Sequence, residues 1–405
     1  MRAREQDGPR RKRRPIAGIG RSGRGPEEKR LGAALLSGHH QDIPGGVPPE
    51  PGPAGAGEPT DTITIGGFTY RTSPALIAAG REIFRNHDFG SHLFWDFRRA
   101  IDYSTGITDA AEYSRRYGVK RDGEGYFVGL VGVKRNDGKV MYGHSCALCH
   151  ANVGEDGAIV EGMANHDYDV GLYYEALRST IRDVDQIYLG DAGLDVLGSQ
   201  GAGRTDSTMD GFYAPMRIPH LFALRAFEHG LRANGDMPNL WIQCYRNLNG
   251  AYAVDSDIME ALMAFLLSIK APPNPRHLGE RERHGETIFR GQRCHRCHLP
   301  PYYTNGRVID WKSIRTDPDR IHNGYPKGYK VPSLLRLDRY RFYLHDGSLT
   351  ALGQLFDPAR LEPTYQAPGI PPARRKPGVG VPGHRFGLRL SPSDRADLIA
   401  FLESL

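Results

Sequence analysis

Cysteine and long apolar runs are both scarce in this sequence. Only five of its 405 residues are cysteine, which excludes a disulfide-dense secreted scaffold as the basis of the fold. No run of about 20 apolar residues is present, so no membrane span is predicted. Near the N-terminus only residues 16–19 and 31–36 are apolar, and these runs are too short for the apolar core of a signal peptide.

Net charge is also small outside the N-terminus. The formal charge is +6, but residues 1–30 hold eleven Lys or Arg against four Asp or Glu, a local +7, so the remainder carries −1. The basic run at 10–14 has no interleaved aromatic residues and no helical face, so nucleic-acid binding is not predicted. Gly and Pro supply eleven of the twenty residues at 41–60, so residues 1–60 are predicted to be a disordered tail.

Four of the five cysteines lie in two copies of the motif Cys-x-x-Cys-His. The copies are Cys146-Ala-Leu-Cys149-His150 and Cys294-His-Arg-Cys297-His298. In such a segment the two thiols lie one helical turn apart, so each can bond to one vinyl group of a haem while the imidazole reaches the iron. We therefore predict two covalently bound haem c groups, with His150 and His298 as iron ligands.

Two other uses of paired thiols stay open from the sequence. Four thiolates can close a tetrahedral zinc site, but Cys149 and Cys294 are 145 positions apart, and zinc does not explain a histidine after each pair. A dithiol redox pair needs only one copy and no histidine. The fifth cysteine, Cys244, has no adjacent base and is predicted to be a small buried thiol rather than a nucleophile.

Three pairs of similar segments predict an internal duplication. They are Gly80-Arg-Glu-Ile-Phe84 with Gly285-Glu-Thr-Ile-Phe289, Arg217-Ile-Pro-His with Lys330-Val-Pro-Ser, and Asn234-Gly-Asp236 with His345-Asp-Gly347. No short-period solenoid repeat is present. We predict a mainly α chain of two cytochrome c-like haem domains, at residues 61–270 and 276–405, of which the first carries long insertions.

Local patterns predict several elements of these domains. A Gly-Gly turn favours a strand hairpin at 62–70, followed by a helix at 74–84, and residues 125–133 favour a second hairpin. A helix with one apolar face is predicted from about Asp255 to Ile269, before the Pro-rich hinge at 271–275. Ser391 and Pro392 predict the start of the last helix. Each domain is thus expected to end in an amphipathic helix.

These motifs resemble the bacterial di-haem cytochrome c peroxidase and MauG superfamily, which at its edges includes di-haem oxygenases such as the rubber oxygenases. The resemblance depends on the two haem motifs, on Val331-Pro-Ser-Leu leading to Tyr343-Leu-His-Asp-Gly-Ser348, and on the closing helix at 390–405. It covers residues 75–405, most clearly in the second half. It implies an oxidoreductase that reduces hydrogen peroxide at the first haem with electrons relayed through the second.

The same resemblance implies a small electron-donor protein, either a cytochrome c or a cupredoxin, and allows a calcium ion. A di-haem electron carrier with both haems closed and an oxygenase that uses dioxygen are the alternatives. Covalent haem attachment implies maturation outside the cytoplasm, so a periplasmic location is expected. Because no signal peptide is evident, we expect the native start to differ from Met1.

The chain departs from the peroxidases at the sixth ligand of the second haem. They place a methionine after the His-Asp-Gly element, whereas no methionine follows Met263 in this chain. Similarity to the oxygenase-like branch makes His345 the expected sixth ligand, with His322 and His384 as weaker rivals. A haem with two histidine ligands is closed to substrate and suits electron transfer.

The first haem has several candidate partners. His166 lies sixteen residues after His150, a spacing similar to that of the peroxidases' distal histidine, although a bystander role stays open; Met163 and Met237 are further candidate ligands. Peroxide cleavage also requires a group that moves a proton, and the candidates are Glu161, His166, Asp206, Asp210 and Asp236. Trp241 is the candidate aromatic between the haems, with a packing role as its alternative.

Overall fold

The computed structural model describes residues 61–89, 91, 110–134, 140–177, 200–206, 214–237, 239–248, 255–319, 321 and 328–405. All of them fall in one unit, Pro48–Leu405. The predicted tail at 1–60, Asp210 and His322 lie outside the described residues. Below, the first half means residues up to 270 and the second half means residues from 276 onward.

Helices dominate the described residues, and small hairpins lie between them. The helices are α1 (Pro74–Asn86), α2 (Ala110–Tyr117), α3 (Ala147–His150), α4 (Val170–Leu177), α5 (Leu240–Leu248), α6 (Ser256–Ser268), α7 (Glu280–Gly291), α8 (Leu352–Leu355) and α9 (Pro392–Glu403). The strands are β1 (Asp61–Ile65), β2 (Phe68–Thr72), β3 (Leu130–Lys134), β4 (Val140–His144), β5 (Ala151–Val153), β6 (Ile159–Glu161), β7 (Arg204–Thr205), β8 (Met216–Arg217), β9 (Val308–Asp310) and β10 (Gly328–Lys330). Consecutive strands pair as antiparallel two-stranded sheets. The mainly helical class is therefore confirmed for this part of the chain.

The first predicted hairpin and helix are present. β1 and β2 are joined by Gly66 and Gly67, which both have positive φ, a conformation that glycine adopts without steric cost. The Ser73 hydroxyl accepts a hydrogen bond from the Leu76 amide at 3.2 Å and Pro74 opens α1, as expected for a capped helix start. The second hairpin was predicted at 125–133 but lies further along the chain, where β3 (Leu130–Lys134) pairs with β4 (Val140–His144) and leads directly into the first haem motif.

α1 crosses α6 through a glycine. A β-carbon at Gly80 would overlap the carbonyl oxygen of Ala261 and would lie 2.7 Å from the β-carbon of Phe265, so the two backbones approach this closely only because the residue is glycine. Beside the crossing, the rings of Phe84 and Phe265 have centroids 5.2 Å apart, a favourable distance for aromatic contact.

The second half repeats this crossing with α7 and α9. A β-carbon at Gly285 would overlap the carbonyl oxygen of Asp397 and would lie 2.7 Å from the β-carbon of Phe401. Phe289 packs beside it, with its ring centroid 5.4 Å from that of Phe401. The sequence similarity between residues 80–84 and 285–289 therefore corresponds to two helix pairs that are packed in the same way.

The two closing helices differ in burial. α6 was predicted to have one apolar face, but all residues from Ala261 to Leu267 are buried, because α1, β2 and α5 contact it and its sequence is apolar all round. α9 keeps the predicted single face, with Leu398, Phe401 and Leu402 buried. Its Ser391 cap accepts from the Asp394 amide at 3.1 Å. Among the described helices, none has the length and apolar character needed to cross a bilayer.

Candidate haem-binding sites

Each Cys-x-x-Cys-His segment forms one helical turn. The His150 amide donates to the Cys146 carbonyl at 3.0 Å, and the His298 amide donates to the Cys294 carbonyl at the same distance. Within such a turn the two cysteines are neighbours on the helix surface. All the thiols are free of disulfide bonds. The backbone arrangement that covalent haem attachment requires is therefore present twice.

The two cysteine pairs lie in different parts of the core. Cys146 and Cys149 contact first-half clusters, whereas Cys294 packs in the cluster that α7 and α9 form. In the part of the chain that the structure describes, the one group of three metal-binding side chains contains no cysteine. All four motif cysteines are described, so these residues form no four-thiolate zinc site.

Apolar side chains enclose the first motif. Ala147, Leu148 and Ala151 are buried, and Cys149 adjoins an aromatic-rich cluster that includes Tyr113 and Tyr173. Burial raises the pKa of both Cys146 and Cys149 to about 12. The thiols are therefore neutral in an apolar setting, which fits a large apolar cofactor better than a charged metal–thiolate site.

A backbone carbonyl orients the His150 ring. Its Nδ1 lies 3.2 Å from the carbonyl oxygen of Pro219. Burial lowers the pKa of His150 to about 4, so the ring is neutral and the proton on Nδ1 donates to this carbonyl. Nε2 is then the nitrogen left to bind a metal, as is usual for metal-bound histidines.

His298 is held in an equivalent way. Its Nδ1 lies 3.0 Å from the Tyr303 carbonyl oxygen, and the Pro332 carbonyl also contacts the ring. Burial lowers the pKa of His298, which favours the neutral ligand form. Pro219 and Pro332 occupy matching positions in the repeated Ile-Pro and Val-Pro segments. A backbone carbonyl therefore orients each motif histidine, that of Pro219 at His150 and that of Tyr303 at His298, and the residues at each motif fit a haem.

His384 lies opposite His298. The two ring centroids are 6.5 Å apart and the ring planes make an angle of 60°. Two imidazoles bound to one metal by bonds of about 2 Å would have centroids ~6 Å apart. Burial, and secondarily the neighbouring His298, lowers the pKa of His384 to about 3. Its Nδ1 is buried and has no hydrogen-bond partner among the residues that the structure describes, so the ring is neutral and offers an unsatisfied nitrogen.

His345, the sixth ligand expected from the sequence, contacts carboxylates. Its Nε2 lies 3.4 Å from Oδ1 of Asp317, and its ring stacks on Tyr329 at 4.1 Å. Burial lowers its pKa, but attraction to Asp317 and Asp346 outweighs that effect and raises the pKa of His345 to about 9. The structure thus places His345 as a charged imidazolium in an ion pair and places its weaker rival His384 at the second haem motif.

We expect the Asp317–His345 pair to make stability depend on pH. Burial alone would raise the pKa of Asp317, but His345 lowers it to about 2. His345 has a raised pKa, so its contribution is complete below about pH 6.5 and is lost as the pH rises through about 9. Asp317 contributes fully above about pH 4 and loses its contribution as the pH falls through about 2. Denaturant unfolding of D317N should show its largest destabilisation between these limits.

The matched control for that experiment is D319N, because Asp319 is an exposed carboxylate nearby whose partner is Lys376. The stability difference between wild type and D317N should shrink as the pH rises from about 6.5 to about 9, whereas D319N should stay within about 0.5 kcal/mol of wild type throughout. A D317N difference that is constant from pH 6 to 10 would contradict the ion pair.

His166 lies between the two halves. Its Nε2 is 3.1 Å from the Ile218 carbonyl oxygen, and its Nδ1 accepts from the Arg341 amide at 3.4 Å. Burial, with Arg217 as the next cause, lowers the pKa of His166 to about 3, so the ring is neutral. Its ring centroid is 5.4 Å from that of Tyr340. In this arrangement His166 bridges backbone groups of both halves.

The described carboxylates that were predicted to move protons are bonded to arginines or to a backbone amide. Glu161 pairs with Arg81 and Arg85, Asp236 pairs with Arg232, and Asp206 accepts from the Ala214 amide at 2.9 Å. Among the described residues none of them joins His166 in a group of three close ligand atoms. Of the predicted set, His166 alone combines burial with a position between the halves.

Trp241 packs within the first half, whereas Tyr340 contacts both halves. Trp241 adjoins the cluster around α6, and its backbone contacts the Tyr70 hydroxyl. Tyr340 stacks on His220 with ring centroids 3.9 Å apart, and its hydroxyl accepts from the His220 amide at 3.3 Å. Tyr340 also belongs to the cluster of Cys294. Neither Tyr340 nor His220 was predicted from the sequence as a functional residue, although His220 follows Pro219 in a repeated segment.

The remaining candidates are core residues. Met163 and Met237 are buried, and nothing in the described geometry directs them to an iron. Cys244 packs against the first core cluster, and burial, with Cys146 as the lesser cause, raises its pKa far above the usual range. It behaves as the buried thiol that the sequence predicted.

The buried side chain of Arg204 and the main chain of the partly buried Arg217 hold the His-Asp-Gly segment of the second half. Nε of Arg204 donates to the Asp346 carbonyl at 2.8 Å, and its terminal nitrogen donates to the Gly347 carbonyl at 2.6 Å. The Arg217 amide donates to the His345 carbonyl at 2.9 Å. First-half side chains therefore fix the loop that carries His345, and this loop is an interface element.

A basic cleft of about 920 Å³ reaches His166. Its described wall contains four cationic side chains and one carboxylate, namely Arg115, Lys120, Arg121, Arg341 and Asp167. Lys120 and Arg341 both pair with Asp167. The cleft gives the region around His166 an opening with positive potential, which attracts anions and admits small neutral molecules.

Comparisons with known proteins give weak similarities to solved structures alone. No family model and no curated protein matches the chain. Among solved structures, a MauG-like protein associated with microbial copper homeostasis is 19% identical over 47% of this chain and 75% of that chain, with a TM-score of 0.34. The diheme peroxidase BthA from Burkholderia thailandensis E264 is 15% identical over 84% and 88%, with a TM-score of 0.34. Kuenenia stuttgartiensis hydrazine synthase is 14% identical over 56% and 81%, with a TM-score of 0.36.

Overlaps of this size carry no weight by themselves, so the assignment depends on the residues of this chain. Those residues are the two haem motifs, the Val-Pro-Ser and His-Asp-Gly segments and the closing helix. On these grounds the chain is similar to the di-haem cytochrome c peroxidase and MauG superfamily.

Proposed function

We propose that this chain is a di-haem c-type oxidoreductase that reduces hydrogen peroxide at the first haem with electrons relayed through the second. The observation that carries the proposal is the repeated local geometry. In each motif the histidine amide donates to the carbonyl of the first cysteine, and Nδ1 of the histidine lies beside a backbone carbonyl, that of Pro219 for His150 and that of Tyr303 for His298. A haem at each motif supplies reversible one-electron chemistry.

The proposal includes two haem domains, at residues 61–270 and 276–405. The equivalent crossings through Gly80 and Gly285 support it, since each half then contains one helix pair and one motif. In this proposal the first domain is longer than the second because it carries long inserted segments. A small cytochrome c or cupredoxin is the proposed electron donor, and the periplasm is the proposed location.

The two proposed haems differ in access. His298 and His384 face each other as a closed pair would require, so we propose His384 as the sixth ligand of the second haem in place of His345. Among the described residues, no imidazole ring makes a comparable contact with His150. This difference supports an open position at the first haem and an electron-transfer role for the second.

The residues around the first haem have defined tasks in this proposal. His150 would hold the iron, and the Pro219 carbonyl orients its ring. His166, which is neutral and lies at the end of the basic cleft, is the candidate for moving a proton between peroxide oxygens. His220 and Tyr340 make the aromatic contact between the two motif regions and replace Trp241 as the candidate electron path.

Electron paramagnetic resonance of the haem-loaded protein tests the proposal. We expect a high-spin ferric signal from the first haem in the fully oxidised or the one-electron-reduced state, a low-spin ferric signal from the second haem in the fully oxidised state, and peroxide consumption with a reduced donor. Both haems staying low-spin in each state, with no peroxide consumption, would favour the electron carrier instead. Turnover that requires dioxygen and an organic substrate would favour the oxygenase.

Single variants distinguish the two proposed sixth ligands. H384A should convert the low-spin signal of the second haem to high-spin, because no other described imidazole faces His298, whereas H345A should leave the signal low-spin. The signal of the first haem is the internal reference in both variants. The opposite pattern would restore His345 as the ligand.

A further inference from the structure

We propose that Arg360 is a positioning residue that holds the His384 ring opposite His298; this inference rests on the proposed function. Arg360 has no exposed surface. It lies between α8 and the loop at 381–384, where its guanidinium contacts main-chain groups. These contacts shape the loop that presents His384.

The guanidinium of Arg360 donates only to carbonyl oxygens. Nε donates to Leu355 at 3.0 Å, one terminal nitrogen donates to Val381 at 2.5 Å, and the other donates to Gly383 at 2.8 Å and His384 at 2.9 Å. Three of these four carbonyls belong to the loop that carries His384. A planar fork of donors fixes several carbonyls at once, which a flexible lysine does not do.

The loop needs such an external restraint. His384 has φ of +42°, which is an unfavourable conformation for a residue with a β-carbon. Gly383 has φ of +89°, and a β-carbon there would lie 2.7 Å from Thr316. The His384 amide donates to the Ile314 carbonyl at 3.1 Å. The backbone of His384 is therefore fixed by Ile314 on its amide side and by Arg360 on its carbonyl side.

Charge pairing does not explain the burial of Arg360. In the described ranges, no carboxylate lies within ion-pair distance of the Arg360 guanidinium, which is fully buried. Burial of a cation without a counter-ion is unfavourable, so the contacts it gains must matter for the local structure. Those contacts are concentrated on the loop whose one imidazole faces His298.

The test uses the haem-loaded full chain with R360Q and R360K, and R336Q as the matched control. Arg336 is also a buried second-half arginine, 3% exposed, but it donates to Asp338 and to the Pro272 and Pro273 carbonyls. Paramagnetic resonance spectra and the reduction potential of the second haem are recorded with and without added imidazole, and circular dichroism checks the fold.

In R360Q we expect partial loss of the low-spin signal of the second haem and its recovery on adding imidazole, because free imidazole occupies the position that His384 has left. R360K should show a smaller loss, since lysine keeps part of the hydrogen bonding. R336Q should lower stability and leave the low-spin signal of the second haem unchanged.

An R360Q spectrum like that of wild type, or an equal loss of the low-spin signal in R336Q, overturns the role of Arg360. A second haem that is not bis-histidine in wild type overturns the proposed ligand itself, which separates the two failures.

Discussion

Replacement of Cys294 and Cys297 by alanine should remove one covalently bound haem and leave the other. The expected change follows from the separation of the two motifs, since Cys294 lies in the α7–α9 cluster and the first pair lies in first-half clusters. The thioether bonds are the reason that a haem stays with the chain after denaturation. A haem stain on a denaturing gel, calibrated by iron content, should fall by half.

The reciprocal pair C146A/C149A should also halve the stain and leave the second haem in place. C244A is the matched control, because Cys244 is a third thiol packed on the same first-half cluster as Cys146, and it should keep both haems. A protein that lacks all four motif cysteines should lose the stain completely. Retention of stain in that protein, or loss of haem in C244A, would show that the motifs do not attach haem.

G285A should destabilise the protein by about 1–3 kcal/mol, the usual cost of forcing extra volume into a packed site. The added β-carbon would overlap the Asp397 carbonyl oxygen, and a backbone carbonyl in the middle of α9 cannot rotate away without separating the helices. G80A should have a similar cost, because its β-carbon would overlap the Ala261 carbonyl oxygen of α6. Denaturant unfolding of the haem-loaded protein measures both changes.

G291A is the matched control for this pair. Gly291 ends the same helix as Gly285, and a β-carbon there would meet nothing within 4 Å. Alanine has the higher helix propensity, so G291A should be neutral or stabilising by up to about 1 kcal/mol. If G285A and G291A have the same effect, the close helix crossing is not a feature of the folded protein.

Much of the secondary structure follows from the sequence. The Gly-Gly hairpin, the capped starts of α1 and α9 and the span of α6 depend on residues within a few positions of each other, so local patterns predict them. The all-round burial of α6 was not predictable in this way. Several separate elements of the described chain cover that helix, and the number of neighbours around a helix cannot be predicted from its own apolar sequence.

The candidate haem contacts also divide into local ones, which the sequence predicts, and distant ones, which it does not. The two Cys-x-x-Cys-His turns are local, and the sequence by itself determined them together with the paired Gly-x-x-x-Phe and proline segments. The placement of His384 opposite His298, of His345 beside Asp317 and of Tyr340 against His220 was decided only by the tertiary structure. These contacts join residues 28 to 120 positions apart, and whether a histidine meets an imidazole or a carboxylate depends on how the chain brings such distant segments together.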